Sequence, residues 1–148
     1  MQLEFIELRT HAEIISEELR ARARQFPGRA IDLRYLVLKA GKEVAFLWYN
    51  TFPTEFYLVI YELFVEERFR HQGIGSALIQ HAESLATARG YRQILVRPQP
   101  LSDKITPEQL VGWYEKRGFT KMTDDRGIYF KNVSFEDPRP MPKNVSLG

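Results

Sequence analysis

Residues 56–97 read FYLVIYELFVEERFRHQGIGSALIQHAESLATARGYRQILVR, and this stretch decides the fold. Its first ten residues form a nearly unbroken apolar run, interrupted by Glu62, which predicts a strand buried on both faces. From residue 74 to 89 apolar residues recur at helical spacing, and Gly90 follows as a left-handed helix terminator. Residues 91–97 return to strand character. Strand, helix and strand in this order predict two parallel strands joined by a right-handed crossover.

Weaker patterns ahead of this unit predict three further strands and a helix. Residues 2–8 alternate as a strand does, and a helix is expected from about residue 11 to 25, opened by the capping-box pair Thr10 and Glu13. Its charged face is expected to be solvated. Residues 34–39 and 43–50 flank Ala40 and Gly41, which predicts a hairpin.

Behind the unit, Thr106, Pro107 and Gln109 predict the start of a helix that runs to about residue 117. Residues 119–122 and 128–133 flank a polar turn and predict a closing hairpin. The elements together predict an α/β protein with one mixed sheet of about six or seven strands flanked by helices.

The length of 148 residues suits one domain, which we expect to span residues 1–135. Residues 136–148 contain three prolines and no periodicity, so a flexible tail is expected there. The first ten residues do not resemble a signal peptide, and no apolar run approaches the roughly 18 residues of a membrane span, which favours a cytoplasmic protein without a membrane partner.

The charge and the reactive side chains exclude several function classes. A formal net charge of +2, spread along the chain, argues against a nucleic-acid surface, even one that used Trp48 and Tyr49 for stacking. There is no cysteine, which excludes disulfides and thiolate chemistry, and the three histidines stand in no metal-ligand spacing. We therefore expect no metal.

The loop after the buried strand is the main candidate for ligand binding. Gly73 and Gly75 allow a tight turn that points backbone N–H groups outward at the start of the next helix, and Arg68 and Arg70 add positive charge. Such a loop binds phosphate oxygens. The nucleotide-binding patterns G-x-x-x-x-G-K-[S/T] and G-x-G-x-x-G are both absent from it.

The run from Arg70 to Gly75 resembles the R/Q-x-x-G-x-G/A motif of the GNAT acetyltransferases, which holds the pyrophosphate of coenzyme A in that family. The segments Glu62–Val65 and Trp113–Phe119 resemble the segments that flank this motif, and the three matches cover about half of the chain. The resemblance implies a GNAT fold and an N-acetyltransferase that uses acetyl-CoA. It also implies a set of coenzyme-binding residues: Leu63, Phe64, Val65, Arg70, His71, Gln72, Gly73, Ile74, Gly75 and Ser76. Leu63 and Val65 match positions whose main chain pairs with the pantetheine arm.

Two residues are candidates for catalysis. Tyr114 matches the family tyrosine that donates its phenolic proton to the leaving thiolate, with a buried core aromatic as the alternative. Glu62 interrupts an apolar strand and is the candidate base, with an orienting charge or an ion pair to an arginine such as Arg97 as alternatives. Many family members have an asparagine after the strand that ends near Arg97. Here residues 97–104 intervene, and Gln99 or Ser102 could replace it.

The predicted reaction is direct attack of a primary amine on acetyl-CoA in a ternary complex. The alternative is a non-catalytic module that binds acetyl-CoA and acts through a partner, because a fold does not fix a function. No sequence feature identifies the amine acceptor, which could be a small molecule or a protein amine. Family members often dimerise, so the resemblance allows a homodimer.

Overall fold

The computed structural model describes residues 2–9, 13–24, 29–124 and 126–133. The expected tail, residues 136–148, lies outside the described residues, as do Thr10 and both expected ends of the first helix. In the described ranges no helix is both long and apolar enough to cross a membrane.

One mixed sheet forms the centre of the molecule, and seven strands of it are described, in the order β1-β2-β3-β4-β5-β7-β6. The strands β4 and β5 pair in parallel, and the other five pairings are antiparallel. This confirms the predicted mixed sheet and its crossover. The strands are β1 (Leu3–Glu7), β2 (Asp32–Lys39), β3 (Lys42–Phe52), β4 (Tyr57–Val65), β5 (Gln93–Val96), β6 (Thr120–Lys121) and β7 (Tyr129–Asn132).

Helices cover both faces of the sheet. The helices α2 (Ile74–Ala88) and α3 (Pro107–Lys116) pack on one face, and α1 (Glu17–Ala23) packs on the other. The helix α2 buries its apolar stripe, which contains Leu78 and Ala82, against the sheet, as its periodicity predicts. The predicted capping box of α3 is present, because Thr106 and Gln109 hydrogen-bond each other's backbone N–H groups.

The first helix begins later than the sequence predicts. Residues 14–16 are not helical, and Ser16 is the N-cap of α1, with its hydroxyl accepting a hydrogen bond from Leu19 N. The physical reason is the Glu43 carboxylate on β3, which accepts hydrogen bonds from the N–H groups of Ile15 and Ser16. Ile15, an apolar residue inside the predicted helix, is 81% exposed.

A bulge in β4 turns its side chains over near the middle of the strand. Trp48 on β3 pairs with Glu62, whereas Tyr49 pairs with Ile60, so Tyr61 is an extra residue. Ile60 packs in the core under α2, but Tyr61 contacts Trp48 in the core under α1, and Glu62 binds a side chain of α1. The bulge therefore places both Tyr61 and Glu62 on the α1 face.

The sheet opens at this bulge. The parallel pairing ends with Ile60 opposite Val96, where β5 stops and Pro98 follows. The strand β4 continues beyond Tyr61 through residues 62–65, which in the described part of the chain pair with β3 alone. Backbone groups along this edge of β4 are therefore available for a ligand that lies between the two strands.

Candidate active site

A cleft of about 1330 Å³ lies at the opening between β4 and β5. Its walls are the second half of β4, the first turn of α2, the buried side of α3 and the loop 97–105. Except for Gln72 and Arg68, every residue that the sequence predicts to bind the coenzyme or act in catalysis lines this one cleft. Gln72 is exposed and accepts a hydrogen bond from Lys39.

The phosphate loop has the backbone geometry of an anion site. His71 and Gly73 both have left-handed φ values, of 64° and 80°, which turn successive N–H groups outward. Gly73 is the N-cap of α2 and has no side chain to satisfy the N–H groups of the first turn. That turn contains no acidic residue. The helix dipole and these donors favour an anionic ligand here.

A guanidinium is fixed at the same helix terminus by contacts that the sequence did not indicate. Arg117, just after α3, donates to Ser76 Oγ from Nη2 at 2.9 Å and from Nε at 3.1 Å. Its Nη1 donates to the Trp113 carbonyl at 2.8 Å, and its guanidinium lies 3.6 Å from the centre of the Trp113 ring. Arg117 thus brings a positive charge to the first turn of α2 in one held orientation.

The arginines expected to bind phosphate differ in their placement. Arg70 lines the cleft, donates from Nε to the Val65 carbonyl at 2.9 Å, and lies 5.3 Å from the centre of the Phe64 ring. Arg68 is mostly exposed and pairs with Glu66 outside the cleft lining. Arg70 and Arg117 therefore each bring a guanidinium to the phosphate end of the cleft.

The second glycine of the loop is required by packing. A Cβ on Gly75 would lie 2.8 Å from Trp113 Cζ2, closer than real Cβ atoms approach a neighbour. The indole therefore rests directly on the helix backbone, and this contact joins α2 to α3.

We expect Gly75→Ala to push Trp113 and the Arg117 guanidinium away from the loop. The predicted result is a loss of about 1–3 kcal/mol in the free energy of unfolding, together with weaker coenzyme binding. Urea unfolding and calorimetric titration with coenzyme A measure the two effects. Gly112→Ala is the matched control, because a Cβ there meets nothing within 4 Å and should be neutral or stabilising. Equal behaviour of the two variants would contradict the packing role.

Glu62 is held by an ion pair that the sequence analysis did not identify. Its side chain is 7% exposed, and Arg22 of α1 donates to Oε1 at 2.7 Å and to Oε2 at 3.3 Å. The partner considered from the sequence, Arg97, does not make this contact. The Arg22 guanidinium also lies 5.3 Å from the centre of the Phe64 ring. The Phe64 ring thus lies against two guanidiniums, that of Arg22 beside Glu62 and that of Arg70 in the phosphate loop.

Tyr114 approaches the cleft from the α2 face of the sheet, opposite to the face on which Glu62 lies. It is buried among Trp113, Phe119 and the core under α2. Burial raises the pKa of its phenol well above the ordinary value, and the nearby Arg117 offsets this only in part. Within the described residues no group hydrogen-bonds its hydroxyl. The phenol therefore stays protonated at ordinary pH and has its proton available to a group in the cleft.

The loop 97–105 forms the remaining wall. Gln99 and Ser102 both line the cleft, and Ser102 Oγ accepts a hydrogen bond from Lys104 N. Lys104 also forms an ion pair with Glu67, next to the phosphate loop. Among the described residues no three potential ligands cluster to hold a metal ion.

Comparison with known proteins agrees with this geometry. A model of the acetyltransferase (GNAT) domain matches residues 32–121, which is more than half of the chain. The chain therefore belongs to the GNAT acetyltransferase family. It is an acyl-CoA-dependent N-acetyltransferase, with acetyl-CoA as the donor. A search of curated proteins gives no match.

Solved structures of similar fold include the ribosomal-protein-S18-alanine N-acetyltransferase of Escherichia coli, at 17% identity and a TM-score of 0.65, covering 99% of this chain and 100% of that one. A GNAT acetyltransferase of Elizabethkingia anophelis with bound acetyl-CoA is 16% identical, with a TM-score of 0.61 and coverage of 88% and 97%. The PaiA N-acetyltransferase of Thermoplasma acidophilum, in complex with coenzyme A, is 17% identical, with a TM-score of 0.59 and coverage of 89% and 99%. These similarities show the shared fold.

Proposed function

We propose that this protein transfers the acetyl group of acetyl-CoA to a primary amine by direct attack in a ternary complex. The observation that carries the proposal is the single cleft, which joins a helix terminus rich in N–H donors to an opening flanked by Glu62 and Tyr114. These two side chains approach from opposite faces of the sheet. A substrate that threads the opening would place its reacting atoms between them.

The residues present fit the coenzyme. The N–H groups of residues 72–76 suit its pyrophosphate, and Arg70 and Arg117 supply the neutralising charge. Arg70 occupies the Val65 carbonyl, and the rest of the β4 edge at Leu63 and Val65 suits an extended arm with amide groups, because backbone donors and acceptors can pair with it as a further strand would. The bound thioester supplies the activated acetyl group.

Glu62 and Tyr114 would manage the two protons of the reaction. A lysine-like amine with a pKa of about 10.4 is almost fully protonated at pH 7, so a base has to take a proton before attack. Glu62 would act there, directly or through water, with Arg22 holding its carboxylate in place. Tyr114 would donate its phenolic proton to the departing sulfur, because burial keeps the phenol protonated. No covalent bond to the protein is needed.

The test is thiol release from acetyl-CoA in the presence of a mixed panel of small amines and lysine peptides, with N-acetyl product measured in the same samples. We expect acceptor-dependent thiol release that matches the N-acetyl product one to one. Tight binding of acetyl-CoA without turnover of any acceptor would contradict the proposal and support a coenzyme-binding module.

A further inference from the structure

We call the end of the cleft near Glu62 the acceptor end. Among the described residues, Arg22 and Arg97 contribute two guanidiniums there, and Glu62 contributes one carboxylate. Glu62 is already matched by Arg22. Arg97 also lines the cleft, is exposed, and forms no ion pair with any described residue. An acceptor that carried only a cationic amine would meet a surplus positive charge here. An acceptor that also carried an anion would remove that surplus.

Arg97 is positioned to contact such an anion next to Glu62. It follows Val96, which pairs with Ile60, so it lies across the opening from Tyr61, the residue before Glu62. Val96, the last residue of β5, packs in the core under α2, and continuing the strand alternation by one residue would place Arg97 on the opposite face, where Tyr61 and Glu62 also project.

The same end of the cleft offers apolar surface. Three large apolar side chains are exposed in the described part of the chain, and two of them, Tyr61 and Leu101, line this cleft. Tyr61 is 47% exposed, and its ring rests on Trp48 with 4.2 Å between ring centres. Trp48 is fixed in turn because its Nε1 donates to Asp32 at 2.9 Å. The exposed face of Tyr61 is thus a firm apolar wall beside the charged groups.

We propose that the acceptor is an aminocarboxylate with an apolar side chain, whose carboxylate is bound by Arg97 and Arg22, whose amine lies at Glu62, and whose side chain packs on Tyr61. This inference rests on the proposed function and names the substrate class for it. The zwitterion inserts its two charges between an arginine and a glutamate, so that each charge faces its opposite. A free amino acid such as phenylalanine, leucine or methionine has this chemistry.

The experiment compares each of these three amino acids with its decarboxylated amine: 2-phenylethylamine, 3-methylbutylamine and 3-(methylthio)propylamine. The two members of a pair share the amine and the apolar group and differ in the carboxylate. We expect kcat/KM for thiol release to be about tenfold to a hundredfold higher for the amino acid, because a charged hydrogen-bond pair is lost with the carboxylate. Equal or better turnover of the amines in all three pairs overturns the inference and leaves the proposed function standing.

Arg97→Gln should reduce this preference to within about threefold of equality, because the exposed arginine contributes its charge rather than packing. Arg89→Gln is the matched control, an exposed arginine that does not line the cleft, and should keep the full preference. An undiminished preference in Arg97→Gln contradicts the assignment.

Calorimetric titration of the amino acids into the complex with coenzyme A distinguishes a failure of the substrate inference from a failure of the proposed acetyl transfer. Binding that depends on Arg97, without turnover of any amine, supports the inference and contradicts the proposed function. If the amino acids are neither bound nor acetylated, the inference is overturned.

Discussion

Tyr114→Phe should lower kcat by about a hundredfold and leave KM for acetyl-CoA within about threefold, because the change removes a proton donor and keeps the packing. The ring would still contact Trp113 and Phe119, so the core under α2 should persist. Steady-state thiol release at several acetyl-CoA concentrations measures both constants.

The pH profile gives this prediction a second readout. Burial raises the pKa of Tyr114, so the phenol stays protonated through pH 10 and should contribute no alkaline limb below that value. Tyr114→Phe should therefore lower the whole profile between pH 6 and about pH 10 without changing its shape.

Tyr91→Phe is the control for loss of a buried hydroxyl, since Tyr91 is buried outside the cleft. It should keep kcat. A rise in KM with unchanged kcat for Tyr114→Phe would assign Tyr114 to binding alone.

Glu62→Gln should lower kcat by about a hundredfold, because an amide of nearly the same shape cannot accept the proton of the amine. The measurement is kcat with a saturating amine, together with urea unfolding to show that the variant is folded. Retention of kcat within about threefold would mean that the carboxylate is not the base.

The matched control is Glu66→Gln. Glu66 is as buried as Glu62 and also has charged and hydroxyl partners, Arg68 and Ser16, but it lies outside the cleft. Loss of its charge should cost stability and leave kcat nearly unchanged. A large fall of kcat in this variant would indicate that loss of any buried carboxylate near α1 affects turnover. That result would contradict a specific role of Glu62 as the base.

The sequence predicted the fold best where a long periodic pattern coincided with clear terminators. The strand β4, the helix α2 with Gly90 behind it, and the capping box at Thr106 all gave such signals, and the structure confirms them. The start of α1 could not be predicted in this way. It is set by the carboxylate of Glu43, which is 27 residues distant from Ser16 in the sequence.

The sequence predicted the part of the site that binds through backbone N–H groups. Gly73 in the phosphate loop has a left-handed φ, which glycine adopts without strain, so a local sequence pattern can indicate this turn. The bulge at Tyr61 could not be read from β4, because it depends on the pairing with β3, and without it Glu62 would share the face of Ile60. Arg22 and Arg117 were missed because their partners are 40 and 41 residues away. The contact of Gly75 with Trp113 is visible only in space.

The most direct test of coenzyme binding between β4 and β5 is a crystal structure of the protein with coenzyme A. We expect the pyrophosphate on the N–H groups of residues 72–76 beside Arg117, and the arm in the opening between β4 and β5. The sulfur should lie within about 3.5 Å of the Tyr114 hydroxyl, on the path towards Glu62. A coenzyme bound outside this opening, or a thiol directed away from both Tyr114 and Glu62, would contradict the proposed coenzyme site and the roles of these two residues.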